Sequence, residues 1–317
     1  MKKIGILYGE ERSFPMAFIK KINARNIEGL IAEPAIIDKA IEGGDSGYDV
    51  IVDRISHRVP FYRAYLKNAA ICGAAVINNP FRSSDDEIFF NCCLASKLGI
   101  TAPRTVIIPS REMPPHTAPA SFGNLAYPLD WEGIFDYIGF PACMKPLSGG
   151  GWKNVYRPTS REDFFQKQSE TGQLVMLLQE EIVFEEYYRC YCIGAKKTRI
   201  LSYAPQNPFH LRYQVDFNPP VERLERLESI VLRLSHYLGY DFNAVDLAIK
   251  EGVPYVMNLG NPFPETGIDE LGKENFEWVT EALAELAIEK ALSAERRRDN
   301  LTWGAFITSA VTKQPLA

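Results

Sequence analysis

Residues 245–265 read VDLAIKEGVPYVMNLGNPFPE, and the fold turns on how that stretch is read. Val245 to Ile249 makes one strand, Glu251-Gly252 a turn and Val253 to Asn258 a returning strand. The first arm carries a carboxylate, Asp246, and the second ends near two amides, Asn258 and Asn261. Oxygen atoms of acids and amides can together ligate a hard cation. Because strand side chains alternate with period two, Asp246 and Asn258 share a face only if the turn is odd, such as Lys250 to Gly252. Taken alone, the same residues also describe a surface hairpin with polar decoration.

Upstream, residues 140–156 read FPACMKPLSGGGWKNVY. Lys145 ends an apolar strand and is followed by Ser148, Gly149, Gly150 and Gly151. Adjacent glycines let backbone N–H groups converge on an anion, and a lysine beside them adds a point charge for phosphate oxygens. Neither G-x-x-x-x-G-K-[ST] nor G-x-G-x-x-G is present. A flexible hairpin tip accounts for the glycines alone; the lysine just before them favours a phosphate cradle.

Toward the N-terminus the chain alternates strands with helices. KKIGILYG is a buried strand, and Ser13 with Pro15 opens a helix. Strands follow at 29–32, 48–55 and 75–78, and helices at 35–42 and 61–72, so residues 1–78 form a parallel α/β unit. Residues 79–139 are a linker and central region: a helix at 85–98, a strand at 105–109 and a Pro-rich stretch, 110–128, with no periodic pattern. Residues 140–205 gather strands at 142–146, 154–157, 175–180, 188–193 and 198–203 around one helix, 161–168, as a small lobe. Residues 206–317 form a C-terminal lobe with an amphipathic helix at 220–238, the hairpin and a helix at 274–292. The fold class is α/β followed by α+β.

At 317 residues, 46% hydrophobic and 24% charged, the chain has the composition of a globular protein of two or three compact parts. A net charge of -5 and dispersed basic residues argue against nucleic acid. No apolar run suits a membrane span, and the first apolar stretch stops at Glu10, before a secretory signal is complete; the cytoplasm is the expected compartment. Six cysteines without a C-x-x-C pair and four histidines without H-E-x-x-H exclude the usual zinc patterns. Cys190 and Cys192 share a strand face, as a redox pair or as buried thiols.

Three segments in order, the Lys145 strand with its glycines, then LVMLLQEEI, then FNAVDLAIKEGVPYVMNLGNP, resemble the ATP-grasp superfamily in its glutathione-synthetase-like and ribosomal-protein-glutamate-ligase-like branch. The resemblance covers residues 75–264, and the N-terminal α/β unit matches the pre-ATP-grasp domain of that family. It implies that Lys145 binds ATP phosphates under a loop of Ser148 and Gly149 to Gly151. Gln179, Glu180, Glu181 and Ile182 would carry adenine, and Glu185 or Glu186 the ribose, unless these glutamates only solvate an edge strand. Arg189 and Arg212 would supply catalytic positive charge, and Asp246, with Asn258, would hold Mg²⁺. Two departures accompany it. The family's E-x-N metal motif reads Asn258-Leu259-Gly260 here, and its upstream Asp-Lys pair is replaced by SSDDEIFFNCC, with Arg82 the nearest basic residue.

The resemblance implies an ATP-dependent carboxylate-amine ligase that forms an acyl phosphate on a small-molecule or peptide carboxylate. The departures leave two alternatives: a nucleotide-binding protein of reduced or no turnover, acting as a sensor or partner, and an α/β scaffold that binds no nucleotide. Many members of the family are dimers or tetramers, so a homo-oligomer stays open.

Overall fold

The computed structural model describes residues 1–81, 88–148, 153–208, 211–213 and 219–293. The chain forms two compact units, and neither is one continuous stretch. The first holds 1–82, 187–247 and 260–317; the second holds 83–186 and 248–259. The units therefore interleave segments that a consecutive division of the sequence keeps apart. The reason is topological: strands distant in the chain complete each other's sheets.

In the first unit, β1 (Lys2–Leu7), β2 (Leu30–Pro34), β3 (Val50–Asp53) and β4 (Ala75–Ile77) form a fully parallel sheet in the order β2-β1-β3-β4. Alternation gives the sheet two apolar faces. Ile4, Ile6, Val50 and Val52 share one core with Phe14 and Phe18 of α1 (Ser13–Asn23) and Leu283 and Ala287 of α7 (Ile268–Leu292). Leu7, Ile51 and Val76 pack with Tyr65, Leu66 and Ala69 of α2 (Pro60–Ile71). The helix expected at 35–42 does not form. Its apolar residues Ile36 and Ile41 are exposed, so a helical stripe there would have no surface to cover.

A second sheet runs in the order β11-β10-β8-β9, from β8 (Glu186–Ile193), β9 (Lys197–Ser202), β10 (Phe242–Lys250) and β11 (Val253–Asn261). Tyr191 and Ile193 of β8 and Phe242 and Ala244 of β10 join the core that contains α7. Cys190 and Cys192 point to the opposite face, both fully buried as reduced thiols. The amphipathic α6 (Val221–Leu238) packs by β9 and buries Leu227, Val231, Leu234 and Leu238.

The second unit holds α3 (Ile88–Lys97) and an antiparallel sheet in the order β5-β7-β6, from β5 (Thr105–Ile108), β6 (Ala142–Pro146) and β7 (Met176–Glu180). Its core joins Ile108, Met144, Met176 and Leu178 to Phe135 and Ile138 of α4 (Trp131–Ile138) and Phe164 of α5 (Arg161–Gln168). Helix α4 is an addition to the sequence reading. The strand expected at 154–157 reduces to one bridge, Tyr156 to Met144. The Pro-rich stretch has a single 3-10 turn, Pro119–Phe122, as its regular structure. Among the described residues no helix is long and apolar enough to cross a membrane.

Candidate functional site

In the second unit, alternation sends Ala142 and Met144 of β6 into the core and turns Cys143 and Lys145 to the other face. There the Lys145 ammonium donates to Gln179 Oε1 at 3.1 Å, and Gln179 Nε2 donates to Thr105 Oγ1 at 2.9 Å. One residue from each of the three strands thus fixes the lysine head. Burial pushes the Cys92 and Cys143 thiols up, and the nearby Lys145 charge offsets only part of this, so both remain neutral. Ser148 is exposed just past the strand, while Gly149 to Gly151 lie outside the described residues.

The segment after Gln179 is held by ion pairs. Glu180 accepts from Arg104 Nε at 3.0 Å; burial raises its carboxyl, but the arginine's contacts outweigh that and hold it below the usual range. Glu181 accepts twice from Arg157 Nε, at 2.9 and 2.8 Å, and Ile182 is buried. Glu185 is exposed and accepts from the Glu251 backbone N–H at 3.0 Å, while half-buried Glu186 opens β8.

In the first unit, Tyr187, Arg189 and Tyr191 follow one another along one face of β8. Arg189 reaches two acids: Nε and Nη2 donate to Asp246 Oδ1 and Oδ2 at 2.8 and 2.9 Å, and Nη1 donates to Glu265 Oε2 at 2.7 Å. The guanidinium lies 4.0 Å from the Tyr203 ring centroid, and Tyr187 donates to Asp246 Oδ2 at 3.3 Å. Tyr191 donates to the Glu265 carbonyl at 2.8 Å, and the Tyr191 and Tyr213 hydroxyls meet at 2.8 Å. Burial opposes the charge on Arg189, but Asp246 and then Glu265 outweigh it and raise its pKa. Burial, reinforced by the neighbouring acids, also raises the phenols of Tyr187 and Tyr213. Arg212 touches this cluster at its edge, donating to Tyr203 Oη at 3.4 Å and to the Asn207 carbonyl at 3.1 Å.

Two expectations about a metal change here. The hairpin turn is the two-residue Glu251-Gly252, both residues with positive φ (51° and 73°), and not the three-residue turn that pairing Asn258 with Asp246 requires. Alternation from that turn assigns Asn258 to the face opposite Asp246, and Asn258 is exposed. Asp246, for its part, is already neutralised by a bidentate guanidinium. Among the described residues no group of three or more His, Cys, Asp or Glu could hold a metal ion. The Mg²⁺ site assigned to Asp246 and Asn258 does not fit these side chains as they stand. Asn261 closes a loop instead: its N–H donates to Asn243 Oδ1 at 2.9 Å and its own Oδ1 accepts from Phe263 N at 3.1 Å.

Glu265, Tyr187, Tyr203 and Tyr213 are members of this cluster that the sequence reading missed. Period-two alternation from Arg189 picks out Tyr187 and Tyr191; Glu265 sits in a loop, with no local signal.

This sheet arrangement, a parallel α/β part followed by two antiparallel layers, is the ATP-grasp fold. By sequence, no family model and no curated protein matches the chain. By structure, it is similar to D-alanine–D-alanine ligase from Bacillus anthracis complexed with ATP, at 17% identity and a TM-score of 0.63, covering 94% of this chain and 99% of that one. It is similar to the RimK domain ATP-grasp protein from Sphaerobacter thermophilus at 16% identity and a TM-score of 0.61, covering 90% of this chain and 99% of the other. The ATP-grasp ligase PsnB complexed with its minimal precursor matches at 12% identity and a TM-score of 0.62, covering 90% of this chain and 100% of that one.

Proposed function

We propose that the chain is an ATP-dependent carboxylate-amine ligase acting on an amino-acid or peptide carboxylate. The observation that carries this reading is Lys145, fixed through Gln179 on the non-core face of an ATP-grasp sheet, with the glycine triplet beginning four residues later at Gly149. The reading gives Lys145 the phosphates, Ser148 with Gly149 to Gly151 the covering loop, Gln179 to Ile182 adenine and Glu185 or Glu186 the ribose. ATP supplies the phosphoryl group that activates the carboxylate; Lys145 offers its negative oxygens a charge-assisted contact. Support also comes from solved structures of this fold that hold ATP, ADP with Mg²⁺, or precursor peptides.

A second reading, nucleotide binding with little or no turnover, is favoured by one observation: Asp246 is tied to Arg189. Release of ADP and phosphate from ATP, measured with amino acids and carboxylate-ended peptides, decides between them. Substrate-dependent ADP release supports the ligase, whereas ATP raising the melting temperature without any release supports the second reading. No melting shift and no release would sink both.

A further inference from the structure

The acid that the hairpin was expected to offer a metal is held by a cation of the chain itself. We infer that Arg189 is the permanent counter-ion of Asp246, so that no divalent cation binds at that carboxylate and nucleotide is taken up without a metal held there. The nucleotide half of this rests on the binding proposed above; the Asp246 half stands by itself.

Arg189 is 8% exposed and Asp246 5% exposed, and the guanidinium uses all three of its nitrogens on Asp246 and Glu265. Its position is fixed a second way by the Tyr203 ring beneath it. A divalent cation on Asp246 would therefore stand beside a fixed like charge. That repulsion cannot be relieved by titration, because an arginine side chain does not lose its proton in a protein. Nor can Arg189 simply leave, since Glu265 retains it and its departure would break a buried pair. The hairpin adds no carboxylate in compensation, since β11 carries the neutral Asn258 and Asn261.

Mn²⁺ serves as the probe. Titration of the full chain without nucleotide, followed by electron paramagnetic resonance, should give no bound ion whose loss tracks Asp246→Asn. Arg189→Met leaves Asp246 without its counter-ion and should create or tighten a Mn²⁺ site by about tenfold or more, removed again in the Arg189→Met, Asp246→Asn double variant. If Arg189→Met does not fold, the wild type and Asp246→Asn still decide: a wild-type Mn²⁺ site abolished by Asp246→Asn overturns the inference. In calorimetry with ADP, any difference in affinity between Mg²⁺ and EDTA should be the same, within about twofold, in the wild type and in Asp246→Asn. A gain of about tenfold with Mg²⁺ that disappears in Asp246→Asn overturns it as well. Failure of ADP to bind under both conditions removes the nucleotide reading and its half of the inference, and the Mn²⁺ titration still settles the Asp246 half.

Discussion

Lys145 and Arg189 are both cations on strands, and their surroundings give them different work. Among the described residues Lys145 donates to one neutral partner, Gln179, and so keeps hydrogen-bonding capacity for an anion. Lys145→Ala should weaken ATP or ADP binding by about 1.5 to 3 kcal/mol, roughly ten- to a hundredfold, as measured by calorimetry on a variant with unchanged melting temperature. Arg189 is surrounded by acids and phenols, which sets a pH limit. Tyr187, Tyr191 and Tyr213 are raised by burial first and by neighbouring groups second. A raised folded pKa favours the neutral phenol in the native chain, so this stability is whole below the unfolded value of about 10 and is lost as pH climbs through the folded values. Urea midpoints should fall above about pH 10, and Tyr187→Phe should lessen the fall. Both cations stand out in the sequence, Lys145 near the end of an apolar strand and Arg189 within the strand that follows the glutamates. The contacts that hold Arg189 were not legible there: Asp246 was visible, but its partner lies on another strand, and Glu265 comes from a loop.

At the scale of elements, patterns with a surface to cover were legible and the others were not. Helix α5 begins where Ser160 accepts from the Asp163 N–H, and its expected span is the one observed. Helix α4 also carries its signals, an Asp130 cap to Gly133 and an apolar row of Trp131, Ile134, Phe135 and Ile138. It escaped notice because it follows the Pro-rich stretch directly and is short. The hairpin and its Glu251-Gly252 turn are as the sequence reads; the three-residue alternative from Lys250 to Gly252 is the one that fails. Glu251 sits at φ 51°, where a side chain other than Asn or Gly is strained, and its N–H still binds Glu185. Glu251→Asn should therefore raise stability by up to about 1 kcal/mol while keeping the backbone contact, read as a higher urea midpoint with an unchanged slope. A fall in stability would mean that the glutamate side chain has a role of its own.

Across the first unit, α1 and the turn after it are tied to α7 by charge as well as by the apolar core. Lys21 meets Glu277 and Glu281 at 2.9 and 3.1 Å, and Arg25 pairs with Glu281. Lys197 pairs with Glu285, and Lys196 reaches Glu289 at 2.9 Å, so the row continues to β9 and the turn before it. These groups are at least partly exposed, and salt at about 1 M shortens the screening length to roughly 3 Å. Raising NaCl should cost the whole row about 1 kcal/mol or less, seen in urea midpoints, and Lys21→Glu should make the protein less sensitive to salt. The alternating start of the chain predicted the parallel sheet. It could not show that α7 covers that sheet, because no local pattern names a partner so far along the chain.

That distance matters while the protein is being made. Ile4, Ile6, Phe14 and Phe18 leave the ribosome well before the helix bearing Leu283 and Ala287 that shields them. During the interval the first sheet keeps an oily face open to water and to other nascent chains, at the stage when exposed apolar surface most readily aggregates. Slow translation of the middle of the gene would prolong that exposure, so yield in a cell should depend on elongation rate and on chaperones that hold the early sheet until its cover arrives.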